Sequence, residues 1–506
     1  MEQLNGIDAS FLNMETPTVH GHVGSVAVFD SSETTLTLET LKAVIEERLH
    51  EVPPYRRRLM TVPLGLDRPY WIEDGDFDLD FHVRNIAVPP PGERTQLAEL
   101  VARLHSRPLD RSQPLWELYL IEGLEGGLVA QYTKIHHACI DGVTGTEVLT
   151  SLLDLQPSGR DGAPEVIPWS PDRVPSTWEM LNRGLFALAT QPRVQARMQA
   201  RMARAAMQVG RRQAGPTMQT LREALERTPF VSALVPAVLG PADERAEDGD
   251  DFLSRPALVA PRVSFNRTIT PHRRYAFGTL PLAEVKQIKD QYGYTVNDVV
   301  MAVCAGGLRT WLQDRHELPT DPLLAMVPVS VRTDADARSF GNRISAMIAP
   351  LPTHRADPLQ RLHSAHEAMK IAKDEHAAMP ADMLQDFGHF APPAVAARVA
   401  RLVARTGIAN YASPSFNLVI SNIPGPQHPL YCAGARLAAS YPVSVISDGA
   451  GLNITLFSYD GGLHFGLVAC RELVPDLWDL MDALDNALAE LVEAAHNDPH
   501  RRQEQP

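Results

Sequence analysis

Four cysteines in 506 residues are too few, and too scattered, to organise a fold. Cys139, Cys304, Cys432 and Cys470 form no C-x-x-C pair, which argues against a zinc ribbon and against a disulfide framework. They suit small buried side chains in a reducing compartment. Positive charge is also short: 47 Lys and Arg face 61 Asp and Glu, a formal net charge of −14, which argues against a nucleic-acid groove. No apolar run approaches the roughly 18 residues of a spanning helix. The opening MEQLNGIDASFLNMET lacks the basic stretch and apolar core of a signal peptide. A cytosolic protein, or one bound to a membrane from one side, is expected. There is no G-x-S-x-G, so no serine elbow, and HEAMK at 366–370 lacks the second histidine of H-E-x-x-H.

What is present is a long chain of ordinary globular composition, 44% hydrophobic and 21% charged. Its length predicts more than one core. Residues 19–29 read as a strand, 38–51 as a helix with Leu41, Val44, Ile45 and Leu49 on one face. Leu97, Leu100, Val101 and Leu104 mark an amphipathic helix. Trp116–Ile121 and Leu128–Ile135 flank the turn EGLEGG and predict a hairpin. Residues 156–262 are rich in proline and glycine, with a basic, helix-prone stretch inside. Arg193, Arg197, Arg201 and Arg204 recur there near helical spacing, as a solvated face or a membrane-surface helix. Regular patterning resumes near 275. Helices are expected at Val285–Ile288, from TVND (295–298), at 358–373 and 394–405, and from Leu477 onward. Strands are expected at 323–332, 343–351, 415–421 and 436–446, and a hairpin at 451–471 turning on Asp460-Gly461-Gly462. The division predicted is an N-terminal domain (1–160), a connection (161–262) and a C-terminal domain (263–506). Both domains read as α/β sandwiches.

The stretch KIHHACIDGVTGTE (134–147) stands at the end of the second predicted hairpin strand. Neighbouring strand residues face opposite ways, so His136 and His137 cannot share a pocket if the strand runs through both. That weakens a metal site, and none is expected. One histidine at a strand end suits general-base chemistry near neutral pH. Asp141 either contacts that base or fixes the turn, and Gly142 permits a close approach. Cys139 next to His137 leaves a thiolate conceivable without marking one. Thr144 and Glu147 read as a capping box opening a helix.

HHACIDG resembles the HHxxxDG signature of CoA-dependent acyltransferases. The chain as a whole resembles the bacterial wax ester synthase/diacylglycerol acyltransferase family, from LNGIDASFL almost to its C-terminus. The resemblance runs through PLW (114–116), FNRTITPHRR (265–274), TVND, PVSVR (328–332), GNRIS (341–345) and SNIPGP (421–426). It implies two chloramphenicol-acetyltransferase-like α/β sandwich domains with a central channel between them. It also implies transfer of a long-chain acyl group from acyl-CoA to diacylglycerol, giving triacylglycerol, or to a long-chain alcohol, giving a wax ester. A non-catalytic lipid binder at a membrane or droplet surface is the alternative of another class.

By that resemblance His137 is the base and His136 orients or packs. Asp141 is structural, held by an arginine such as Arg56 or Arg58. Ser421, or Asn422 after it, is the candidate oxyanion donor, unless SNIP merely ends a strand. Asn297 and Asp298 match a motif tied to activity, although Thr295 with Asp298 also reads as a helix cap. Gly142 and Trp116 are assigned to substrate binding, Trp116 to lining or bracing an acyl channel. Acyl-CoA is the co-substrate, with no further cofactor and no nucleic-acid partner. Peripheral attachment to the inner face of the membrane or to lipid droplets is expected.

Overall fold

The computed structural model describes residues 1–140, 142–160, 169, 171–190, 260–330, 344–377, 407–411 and 413–498. The strands are β1 (Glu2–Gln3), β2 (His22–Asp30), β3 (Arg57–Met60), β4 (Tyr70–Glu73), β5 (Val83–Ala87), β6 (Trp116–Glu122), β7 (Leu128–His136) and β8 (Arg273–Pro281). The series continues with β9 (Leu323–Ser330), β10 (Ile344–Leu351), β11 (Leu418–Pro424), β12 (Tyr431–Cys432), β13 (Ala435–Val443), β14 (Leu452–Tyr459) and β15 (Gly462–Cys470).

Two six-stranded mixed sheets dominate, ordered β12-β13-β2-β7-β6-β5 and β10-β9-β11-β14-β15-β8, beside a small β1-β4-β3 sheet. This is the two-domain α/β architecture the sequence implied. The two sheets do not follow the chain in succession, however. β13, from the C-terminal part, pairs antiparallel with β2 and so completes the N-terminal sheet. Hydrophobic patterning predicted a strand near 436–446 but carries no information on its partner. The crossing requires close contact: a Cβ on Gly466 of β15 would lie 1.7 Å from the Pro442 carbonyl oxygen of β13. No side chain fits there.

Apolar periodicity explains the layers. The helix Val296–Asp314 is buried on nearly every face, because it packs against the helices Leu282–Tyr292, Pro358–Ala377 and Leu477–Asn497 and against β10. Its core is continuous with Leu452, Ile454 and Leu456 of β14. A second core lies in the N-terminal half around Trp116, Leu118 and Leu120. A third joins the halves. There Val101 and Leu104 of the helix Arg94–His105 meet Val26 and Tyr132 on one side and Tyr275, Phe277 and Val468 on the other. The hairpin β14–β15 turns through Asp460 and Gly461, both with positive φ (43° and 82°), the requirement of a tight primed turn. All four cysteines are buried and free.

Several boundaries differ from expectation. The helix after the histidines begins at Gly142, so Thr144 lies within it rather than capping it. The helix at 38 stops at Arg48 and passes into short 3-10 turns, since Pro53 and Pro54 cannot continue it. The basic stretch 193–212 and the helix expected at 394–405 fall outside the described residues.

Candidate active site

The site is assembled where β7 ends. β7 is a central strand, paired with β2 and β6, and its last residue, His136, lies opposite His22. The strand stops there, and a turn follows. The His136 amide donates to Leu115 O (2.9 Å), the His137 amide to Gly21 O (2.7 Å) and the Cys139 amide back to His136 O (2.9 Å). The motif backbone is therefore tied to the starts of both flanking strands.

The two imidazoles have different environments. His136 is 1% exposed. Its Nδ1 accepts the Ala138 amide proton at 3.0 Å, which fixes the proton of the neutral ring on Nε2. That Nε2 lies 3.3 Å from Glu15 Oε1, without the alignment of a hydrogen bond. His136 thus has no lone pair to offer a substrate. His137 is half-buried, and its ring lies flat on Phe11, with centroids 4.1 Å apart and planes 8° from parallel.

Phe11 and Glu15 both come from the first helix, Gly6–Met14, and the residue that ends it. Glu15 Oε1 accepts the Gly21 amide (2.7 Å), and Oε2 accepts from Arg111 Nε (3.2 Å). Burial would raise the Glu15 carboxyl. His136, the Gly21 amide and Arg111 outweigh it and hold the pKa down to about 2. Glu15 is a fixed anion beneath the motif. Gly21 fits because a Cβ there would come within 2.8 Å of His136 Nε2. Burial first, and Asp8 second, push the Cys139 thiol well above the usual range, which disfavours a thiolate there.

The second half of the chain reaches this point through β11. Ser421 and Asn422 are half-buried on β11, opposite Thr455 and Leu456 of β14. Ile423 packs against the N-terminal core that contains Cys139, Ile140 and Val148, and β11 touches the helix Gly142–Leu152. The structure therefore brings the SNIP strand end to the helix that follows the histidines. Gly142 is the first residue of that helix, and Asp141 lies outside the described residues. Arg58 Nε donates to Asp74 at 2.9 Å, while Arg56 lies over the Trp169 ring.

Two predicted residues sit in structural settings. Trp116 is fully buried between Tyr55 (4.1 Å) and His82 (4.5 Å), and its N–H donates to Tyr55 O at 2.9 Å. It braces the N-terminal core. Asp298 caps its helix reciprocally with Thr295 and accepts from His366 Nδ1 at 2.9 Å, while His366 stacks on Tyr294. Asn297, beside it in the first turn, is half-buried. Sequence reasoning missed Phe11, Glu15, Arg111 and His366. Each acts on a residue far away in sequence, and the only signal was the family-like LNGIDASFL and an HE pair read as a failed zinc motif. A cavity of about 90 Å³ opens behind the turn, with Ala138 and Cys139 on one wall and Leu4, Asp8 and Trp71 among the others.

The comparisons agree along the whole chain. Residues 4–300 match the wax ester synthase/diacylglycerol acyltransferase catalytic domain, and residues 340–492 match the WS/DGAT C-terminal domain. A Mycobacterium tuberculosis H37Rv protein named probable diacylglycerol O-acyltransferase tgs2 is 35% identical over 493 residues, covering 96% of this chain and 98% of that one. The solved wax ester synthase/diacylglycerol acyltransferase of Marinobacter aquaeolei VT8 is similar at TM-score 0.66 and 30% identity, covering 98% of this chain and all of that one. The first condensation domain of the CDA synthetase shares the fold alone, at TM-score 0.52 and 17% identity, over 98% of this chain and 96% of that one.

Proposed function

From a chain that belongs to the wax ester synthase/diacylglycerol acyltransferase family, and is an acyltransferase, we propose the finer reading that it moves a long-chain acyl group from CoA to diacylglycerol, with His137 as general base. The observation that carries the assignment is the contrast between the two histidines. The His136 lone pair is occupied by a main-chain amide, and the ring is sealed from solvent. His137 is the partly accessible ring, held on the face of Phe11.

In this reading His137 takes the proton of the acceptor hydroxyl as its oxygen attacks the thioester carbonyl. The C–S bond then breaks, and the imidazolium returns the proton to the CoA sulfur. No acyl-enzyme forms, in keeping with the missing serine elbow and the neutral Cys139. Ser421, or Asn422 beside it, is the candidate donor to the oxyanion, supported by the approach of β11 to the helix Gly142–Leu152. Phe11 stabilises the imidazolium through its ring face. The acyl chain and CoA would enter a channel between the two halves, and each methylene taken from water contributes about 0.8 kcal/mol to binding.

Diacylglycerol is preferred as acceptor because that is the activity in the name of the tgs2 relative. A long-chain alcohol is the second reading, favoured by the name of the Marinobacter relative. Both acceptors are poorly soluble, so the enzyme is proposed to work at a membrane or droplet surface. No helix among the described residues is long and apolar enough to cross a membrane.

The test is purified protein with labelled acyl-CoA and a panel of diacylglycerol and long-chain alcohols. His137→Ala should lose at least about a hundredfold in turnover. Undiminished turnover would remove His137 as the base. Faster labelling of the alcohol would reverse the order of acceptors.

A further inference from the structure

Among the described residues, large apolar side chains are exposed beside the small β1-β4-β3 sheet. Leu64 occupies the tip of the turn Pro63–Gly65 with φ 60°, and it is 79% exposed. The left-handed region is costly for a branched apolar side chain, and turns there ordinarily use glycine or asparagine. Burial does not compensate, since the side chain projects into solvent.

The helix Thr177–Thr190 lies against this turn. A Cβ on Gly184 would come within 2.7 Å of Val62 Cγ1, so the helix backbone is in contact with the turn. Met180 and Gly184 face the protein. At 3.6 residues per turn, Trp178 and Leu185 project together from a different side, and they are 72% and 50% exposed; Phe186, next to them, is 70% exposed. A helix apolar on two faces needs a second apolar environment.

Protruding tryptophan and leucine on two touching elements suit insertion into a fluid lipid boundary. Charge points to the same partner. The chain carries −14 overall, yet residues 191–212, which continue the sequence from this helix, contain six arginines and no acid. Arg183 is exposed on the helix itself. Acidic phospholipids complement that sign.

We propose that the turn Pro63–Gly65 and the outer face of the helix Thr177–Thr190 dock this enzyme on an anionic phospholipid surface, with Leu64, Trp178 and Leu185 entering the acyl boundary. The inference rests on the reading that the acceptor is a lipid alcohol, and it identifies the surface through which the enzyme would reach that alcohol.

The test is flotation of the full chain with vesicles of phosphatidylcholine and phosphatidylglycerol, and with phosphatidylcholine alone. The triple variant Leu64→Ser, Trp178→Ser, Leu185→Ser should float at least about tenfold less well on the mixed vesicles. Wild type should prefer the mixed vesicles. Turnover of a detergent-dispersed acceptor should be equal in the two proteins, which also shows the variant to be folded. Equal flotation overturns the proposal. So does unchanged flotation accompanied by conversion of a wild-type dimer into a monomer, which would assign the face to a second copy. A flotation difference in a protein that acylates no alcohol would uphold the docking face and overturn the proposed reaction.

Discussion

The Phe11 ring covers one face of the His137 ring at 4.1 Å, and the helix carrying Phe11 lies more than a hundred residues earlier in the chain. The contact holds the imidazole plane, and in the proposed reaction it would present an electron-rich face to the imidazolium.

Phe11→Leu keeps apolar volume and removes the ring face. An aromatic–cation contact of about 0.5–2 kcal/mol predicts a fall in kcat of roughly 2- to 30-fold. Thermal stability should change little, and Phe11→Tyr should retain most activity. Steady-state kinetics beside a melting curve decide it. A Leu variant with full kcat would show that the stacking has no catalytic role.

Glu15 gives a pH-dependent prediction. Its folded pKa, about 2, lies below the ordinary carboxyl value of 4.5. The stabilisation is present above about pH 4.5 and is lost as pH falls toward 2. Its upper bound is about 3 kcal/mol. Glu15→Gln should therefore lower the urea midpoint at pH 7, and the gap to wild type should narrow between pH 5 and pH 3. A gap independent of pH would mean that packing, not charge, is what Glu15 supplies.

Acid should also act through His20, His22 and His105. The His22 and His20 rings stack, His22 Nε2 donates to His105 O, and His105 bridges Tyr132 in the N-terminal sheet and Ser444 O in the C-terminal part. Burial chiefly holds all three below the ordinary histidine value of 6.5, with repulsion from Arg273 at His20 and His105, from His105 at His22, and from Lys134 at all three. The unfolded chain then binds more protons below pH 6.5, so stability falls as pH drops. Each histidine that stays neutral at pH 5.5 costs about 1.4 kcal/mol relative to pH 8. Urea unfolding at pH 8, 6.5 and 5.5 measures the slope, and His105→Gln should flatten it.

Asp298 tests whether an activity motif is structural. Asp298→Ala removes a reciprocal helix cap and the His366 bond, so it should cost about 1–3 kcal/mol of stability. Activity per folded molecule should stay close to wild type, while His366→Ala should lower stability alone. Normal melting with lost turnover in Asp298→Ala would place this residue at the reaction instead.

Local order was largely legible in the sequence. The periods of Leu97–Leu104 and Leu477–Leu491 fix which helical faces are apolar, and Asp460-Gly461 fixes a turn, because these depend on neighbours a few residues away. HHACIDG marked the candidate site through its resemblance to the HHxxxDG signature. The tertiary structure decided what those residues face. Only strand pairing places β13 against β2, only the end of β7 at His136 separates two adjacent histidines into a capped ring and an accessible one, and only packing brings Phe11 and Glu15 beneath them. The physical reason is that patterning constrains which side of an element is buried, whereas pairing and ring contacts depend on long-range packing that no local period encodes.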